Sequence, residues 1–215
     1  MWSKKQEKFI RSLRQKKFRK QHGLFIAEGL KTVDELLKSS HQIEALYATS
    51  SILPAIDPLH QPKFTELSEA EMKSISSLNE PPGLLAVVRI PEHQLRQAEL
   101  LLYLEEIRDP GNLGTIIRSA EGFGVSQLVL SPNCVDPYSP KVVQASMGSL
   151  FRIPLAFQSL QALRSELVEN YHFYAADMEG SNLYETPIDL PAVLIMGGEA
   201  NGLSDEVRGS QIEKL

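Results

Sequence analysis

Cysteine is nearly absent: Cys134 is the only one in 215 residues. It has no partner for an internal disulfide, and no CxxC or His/Cys cluster points to a metal. A reducing, cytoplasmic compartment is therefore expected. Long apolar runs are missing too. No stretch approaches the roughly 18 residues of a membrane helix. The start, "MWSKKQEKFIRSLRQKKFRK", is charged and lacks the apolar middle of a secretory signal. Neither a membrane nor a metal is expected as a partner. Internal repeats and low-complexity tracts are also absent. What remains, 42% hydrophobic and 23% charged residues, is ordinary for a globular chain. The length lies between one and two domains.

Acid is scarce at one end only. Residues 1–20 hold nine bases and one acid, a local charge of +8, which leaves −13 on the rest of a chain with net charge −5. A basic end on an acidic body binds polyanions locally. Arg11, Arg14, Lys16, Lys17 and Arg19 are the candidate nucleic-acid contacts, with Phe9 and Phe18 interleaved. A solvated helix face is the plainer reading of the same charges.

The first ninety residues alternate strand and helix. Residues 3–20 read as a helix or helix–loop. "LFIAEG" reads as a strand and "LKTVDELLKS" as a helix, with Leu30, Val33, Leu36 and Leu37 on one stripe. "IEALYATS" is a second strand and "SEAEMKSISSL" a helix capped by Ser68, and "PPGLLAVVRI" closes the region. Residues 1–90 thus predict a β-α-β-α-β unit. "PEHQLRQA" from Pro91 is the linker, 91–98. From residue 99, "LLYLEEI", "SQLVLSP", "YHFYAADM" and "PAVLIMGGE" are short apolar runs separated by helical stretches. Such runs predict a parallel sheet covered on both faces, so the fold class is α/β throughout.

Two glycine clusters follow strands. In "DPGNLGTIIRSAEGFGV", Pro110 and Gly111 predict a turn, Asn112 an N-cap, and Leu113–Glu121 a helix. Leu113, Ile116, Ile117 and Ala120 form its buried stripe, which turns Arg118 outward beside Gly114. The glycines miss the G-x-G-x-x-G spacing of dinucleotide loops, and no phosphate-loop lysine is present, which argues against a nucleotide-dependent small-molecule enzyme. A structural turn with a surface arginine stays open. In "LIMGGEANGLSDEV", glycines surround Glu199 just past a buried strand, and Ser204 is the expected cap of the next helix. Two such loops at carboxyl strand ends favour a ligand pocket over a bare turn.

Together and in this order the two clusters resemble the SpoU (TrmH-type) RNA 2′-O-ribose methyltransferases of the SPOUT superfamily. "DPYSPKVVQASMGSLFRIP" is similar to the segment between their motifs. "RSLRQKKFRKQHGLFIAEGLKTVDELL" and "PPGLLAVV" resemble the substrate-binding domain many members carry, itself like small RNA-binding ribosomal proteins.

The resemblance implies a C-terminal trefoil-knot domain over 99–215, S-adenosyl-L-methionine as cofactor, a homodimer, and methyl transfer to a ribose 2′-hydroxyl of rRNA or tRNA. It implies that Arg118 deprotonates or orients the hydroxyl, that Asn112 and Glu199 position that arginine and the substrate, and that Ala176, Asp177, Met196, Gly197 and Gly198 hold the cofactor. The family's third motif, with its share of the cofactor site and the knot, is expected beyond Leu215. The alternative is a catalytically inactive RNA-binding protein on the same fold.

Overall fold

The computed structural model describes residues 2–167, 170–199, 202–208 and 212–215. Its elements begin α1 (Lys4–Ser12), α2 (Lys16–His22), β1 (Leu24–Glu28), α3 (Leu30–Leu37), β2 (Ile43–Thr49), β3 (Thr65–Leu67), α4 (Glu69–Ile75) and β4 (Leu84–Arg89). They continue β5 (Leu100–Glu105), α5 (Pro110–Gly122), β6 (Gln127–Leu130), α6 (Pro140–Ala145), β7 (Leu155–Phe157) and α7 (Leu160–Glu166). β8 (His172–Ala175), β9 (Ala192–Gly197), α8 (Asp205–Arg208) and β10 (Glu213–Lys214) complete the order. Two compact units result: Met1–Pro91 with Asp136–Arg152, and Glu92–Val135 with Ile153–Leu215.

The first unit is a four-stranded mixed sheet, β1-β4-β2-β3, with β3 parallel to β2. β3 adds a strand to the expected β-α-β-α-β. Its three residues, between a short helical turn and the cap of α4, carry too little pattern to read. α1 starts where Ser3 accepts the Gln6 N–H at 3.2 Å and its own N–H returns to Gln6 Oε1 at 3.0 Å, a reciprocal cap. Ser68 and Glu71 cap α4 in the same way. α2 stops at Gly23, whose φ of 64° suits a residue without Cβ. The core gathers Leu13, Ile26, Tyr47, Met72, Ile75 and Leu85.

The stretch Asp136–Arg152 packs with this first unit. The Tyr138 and Phe151 rings lie 4.9 and 6.4 Å from Phe25. Arg152 pairs with Glu35 at one end of the stretch, and Asp136 with Arg19 at the other. Burial pushes the Tyr138 phenol well above its ordinary range, and the Asp136 carboxylate adds to this.

The second unit is a six-stranded sheet, β10-β8-β9-β5-β6-β7, parallel throughout. Its central strands are apolar on both faces, as parallel pairing with cover on each side requires. Leu101, Tyr103, Val129, Leu163, Val193 and Ile195 fill its core. From β5 the chain steps outward through β6 to β7, then returns on the other side through β8 and β9. β5 and β9 are therefore neighbours from which successive connections diverge. Such a switch point opens a crevice at the carboxyl ends of the two strands.

Candidate functional site

Both glycine clusters emerge at that crevice. After β5 the chain turns at Glu106, a non-glycine residue with a φ of 53°. The turn is held from several sides. The Glu106 N–H donates to Ser131 Oγ at 3.0 Å, and its carboxylate accepts from Asn133 and Arg108, each at 2.9 Å. α5 then begins at Pro110, with Asp109 as its cap. Asp109 Oδ1 accepts the Asn112 N–H at 2.8 Å. This corrects the expected cap. Asp109 precedes a proline preset for the first helical position, so the helix starts a turn earlier. Asn112, now inside the first turn, has its side chain free.

That side chain reaches the second cluster: Asn112 Nδ2 donates to Glu199 Oε1. The loop bearing Glu199 is tightly closed. Gly198 and Gly202 form a bridge, and the Gly202 N–H donates to Gly198 O at 2.8 Å. A Cβ on Gly197 would lie 2.2 Å from Gly202 O, and one on Gly198 2.6 Å from Glu106 O. Here glycine is required by close backbone approach.

Buried Glu105 fixes the loop's return. Its carboxylate accepts the Ser204 N–H at 2.9 Å and the Ser204 hydroxyl at 2.8 Å. Ser204 in turn caps α8, accepting the Val207 N–H at 3.4 Å. Sequence reasoning passed over Glu105. Its signal was an acid closing an apolar strand, where burial demands partners.

Arg118 is exposed, two turns along α5 from Asn112. Among the described residues it makes no hydrogen bond or ion pair. The buried face is Leu113, Gly114, Ile117 and Ala120, with Ile116 half-buried. Gly114 is thus not the open neighbour expected of it; the stripe is rotated by about one position and still leaves Arg118 outside.

Residues 99–213 match the family described as SpoU rRNA methylase, more than half of the chain. The chain belongs to this family. Residues 4–86 match the MRM3-like substrate binding domain. Similar curated relatives include mitochondrial rRNA methyltransferase 3 of Xenopus tropicalis, 31% identical over 78% of this chain and 42% of that one. The chain therefore spans about two-fifths of that relative's length. Another is the 23S rRNA (guanosine(2553)-2′-O)-methyltransferase RlmP of Bacillus subtilis, 29% identical over 90% of this chain and 79% of that one. Among solved structures, the AdoMet-bound rRNA methyltransferase of Sinorhizobium meliloti superposes with a TM-score of 0.83 at 29% identity, covering 100% of this chain and 85% of that one.

The other candidate residues of this SpoU chain fall in two places. Ala176 and Asp177 follow β8, and Met196–Gly198 close β9, its parallel neighbour, so the five share one sheet edge. Ala176 is exposed and Met196 half-buried. The Glu179 N–H, 3.2 Å from Asp177, holds that carboxyl below its usual range, and Lys214 at 3.4 Å assists against partial desolvation. Small side chains, an apolar thioether and an ionised carboxylate suit a ligand with a flat heterocycle, hydroxyls and a cationic end.

The basic residues divide. Arg11, Lys16 and Lys17 are exposed on α1 and α2. Arg14 is half-buried and donates to the carbonyls of Ser74 and Ser76, and burial lowers its pKa. Arg19 is not at the surface at all. It is 3% exposed, donates to Leu13 O at 2.9 Å and Arg14 O at 2.7 Å, and pairs with Asp136 at 2.6 Å. An arginine this buried persists only with such partners, so its charge is spent inside the first unit. Among the described residues no cluster of His, Cys, Asp and Glu is arranged to hold a metal, and no helix is long and apolar enough to cross a membrane.

Proposed function

We propose that this chain carries S-adenosyl-L-methionine-dependent methyl transfer to a ribose 2′-hydroxyl of structured RNA, with rRNA favoured over tRNA. The observation that carries the reading is the Asn112–Glu199 hydrogen bond at the switch point of β5 and β9, with Arg118 unengaged on the same helix. The relative named as a 2′-O-methyltransferase and the AdoMet-bound neighbour support it.

When bound, the cofactor supplies an electrophilic methyl group. Ala176, Asp177, Met196, Gly197 and Gly198 would hold it, with Asp177 accepting from a hydroxyl or facing the cationic end. A ribose hydroxyl is a weak nucleophile and needs help to lose its proton. Guanidinium, which stays protonated at any physiological pH, is a poor base. Arg118 therefore serves as a fixed charge that orients the RNA and stabilises oxygen as it becomes alkoxide, while the hydroxyl proton passes to solvent water. Asn112 and Glu199, bonded to one another, position the substrate hydroxyl. Arg11, Lys16 and Lys17 draw in the RNA backbone.

A trefoil knot, a cytoplasmic setting and a homodimer go with this reading. Phe123, Met178 and Tyr184, apolar and largely exposed on the second unit, support the dimer, which light scattering tests by a doubled mass. The deciding experiment follows tritiated methyl from S-adenosyl-L-methionine into rRNA and tRNA pools and maps it by resistance to alkaline cleavage. Label on a base overturns the ribose assignment. No label in any pool, with RNA binding retained, makes this an RNA-binding protein without transfer.

A further inference from the structure

β5 leads into α5 through Glu106, whose φ is 53°. Glycine adopts this left-handed region freely, and among side chains asparagine and aspartate enter it more readily than glutamate. A residue held there is strained, and the strain persists only where its surroundings over-determine it. Around Glu106 they do so from two sides. On one side the loop after β6 grips it. Ser131 Oγ accepts its N–H at 3.0 Å, and Asn133 Nδ2 donates to its Oε1 at 2.9 Å. The same loop holds the next residue, where the Val135 N–H donates to Ile107 O at 2.8 Å. Ile107 is buried, so the chain here is fixed. Arg108 takes the second carboxylate oxygen at 2.9 Å.

On the other side lies Gly198. A Cβ there would stand 2.6 Å from Glu106 O and 3.3 Å from its carbonyl carbon. Backbone thus rests on backbone. Gly198 is the residue before Glu199, and Glu106 opens the turn that ends at the Asp109 cap of α5. The two carriers of the Asn112–Glu199 bond therefore meet at one peptide. A shift of the Glu106 carbonyl moves Glu199 relative to Asn112, and hydrogen bonds weaken within a few tenths of an ångström. For the fold alone, glycine would make this turn without strain. What glycine lacks is the carboxylate that ties the turn to Asn133.

We propose that Glu106 is a positioning residue for methyl transfer. It acts through Glu199: tethered to Asn133, it fixes the turn against Gly198 and so aims Glu199 at Asn112. This rests on the functional reading above, and it adds a residue outside the two glycine clusters to the transfer site. The strain at Glu106 is kept because the tether needs a side chain where the turn alone would take none.

The test compares Glu106→Gly, which suits the backbone and drops the tether, with Glu106→Gln, which keeps an oxygen for Asn133. Both are made in the whole chain. NMR follows the Asn112 side-chain amide, and Glu199→Ala supplies the signal of an amide that has lost its acceptor. Glu106→Gly is expected to move the Asn112 amide toward that reference, and Glu106→Gln to leave it at the wild-type position. Both variants should melt within about 2 °C of wild type, the span of a mild substitution in a chain this size. In turnover, Glu106→Gly should lower kcat by about tenfold or more, the scale of a misaimed group, with the KM for RNA unchanged. Glu106→Gln should recover most of that loss. An Asn112 amide that stays put in Glu106→Gly, or moves as far in Glu106→Gln, overturns the proposal. So does wild-type kcat in Glu106→Gly, or a melting temperature several degrees lower, since the carboxylate then serves the fold. Absence of methyl transfer in wild type strikes the functional reading alone; the amide signal still decides whether Glu106 aims the pair.

Discussion

Arg118 and Arg19 are the same residue type with opposite fates. Arg118 was legible because a helical stripe fixes which positions face outward. Arg118→Ala is expected to lower methyl transfer by roughly 100-fold or more, the scale of losing one preorganised charge partner. Stability should change by no more than about 0.5 kcal/mol, as for an exposed position. Full activity in that variant would sink the role. Arg19 was not legible. A charge count cannot see that its partner, Asp136, lies 117 residues away. Arg19→Ala should destabilise by about 3 kcal/mol or more, since it strands a carboxylate. The double change Lys16→Ala, Lys17→Ala should leave stability alone and reduce the salt slope of RNA binding by about 1.5–2, the loss of two phosphate contacts. The reverse pattern in denaturation and salt titration would exchange the two assignments.

At the scale of elements, strands with long apolar runs were readable and short ones were not. β7 follows Pro154 with three residues, and β10 has two. Neither is long enough to show a period. The α5 cap was misplaced because Asp109 and Asn112 are both good caps, and only the neighbouring proline distinguishes them. The Glu199 loop depends on backbone contact that composition cannot reveal. Gly197→Ala drives a methyl into the carbonyl of Gly202 and should cost about 1–3 kcal/mol, with methyl transfer lost as the loop shifts. Wild-type melting and turnover in Gly197→Ala would mean the loop yields freely.

The linker before β5 is anchored by His93, whose Nδ1–H donates to Leu155 O at 3.2 Å and whose ring meets Phe157 edge-on at 4.7 Å. Burial lowers the His93 pKa, with the Leu155 carbonyl opposing. The folded state thus binds fewer protons than the unfolded one in this window. The contribution is fully present above about pH 6.5 and is lost as pH falls from there through the folded value. Wild type should therefore lose melting temperature between pH 7.5 and 5.5 more steeply than His93→Gln. Equal slopes would remove His93 from the explanation.

For the molecule as a whole, the two-unit α/β plan and the meeting of both glycine clusters at one sheet edge were legible. The allegiance of Asp136–Arg152 was not, because contacts so distant in sequence leave no local pattern. A chain ending at Pro91 is expected to melt well below the same unit in the full protein, since Phe25 loses its ring contacts and Arg19 its carboxylate. Equal melting would make the stretch an ornament. The same feature sets the order of events during synthesis. When Pro91 leaves the ribosome, the first unit still awaits a piece encoded roughly sixty codons later. At about 5–20 residues per second that is a delay of some three to twelve seconds. β5, α5 and β6 emerge in that interval, so half of the future crevice is translated before the older unit can close.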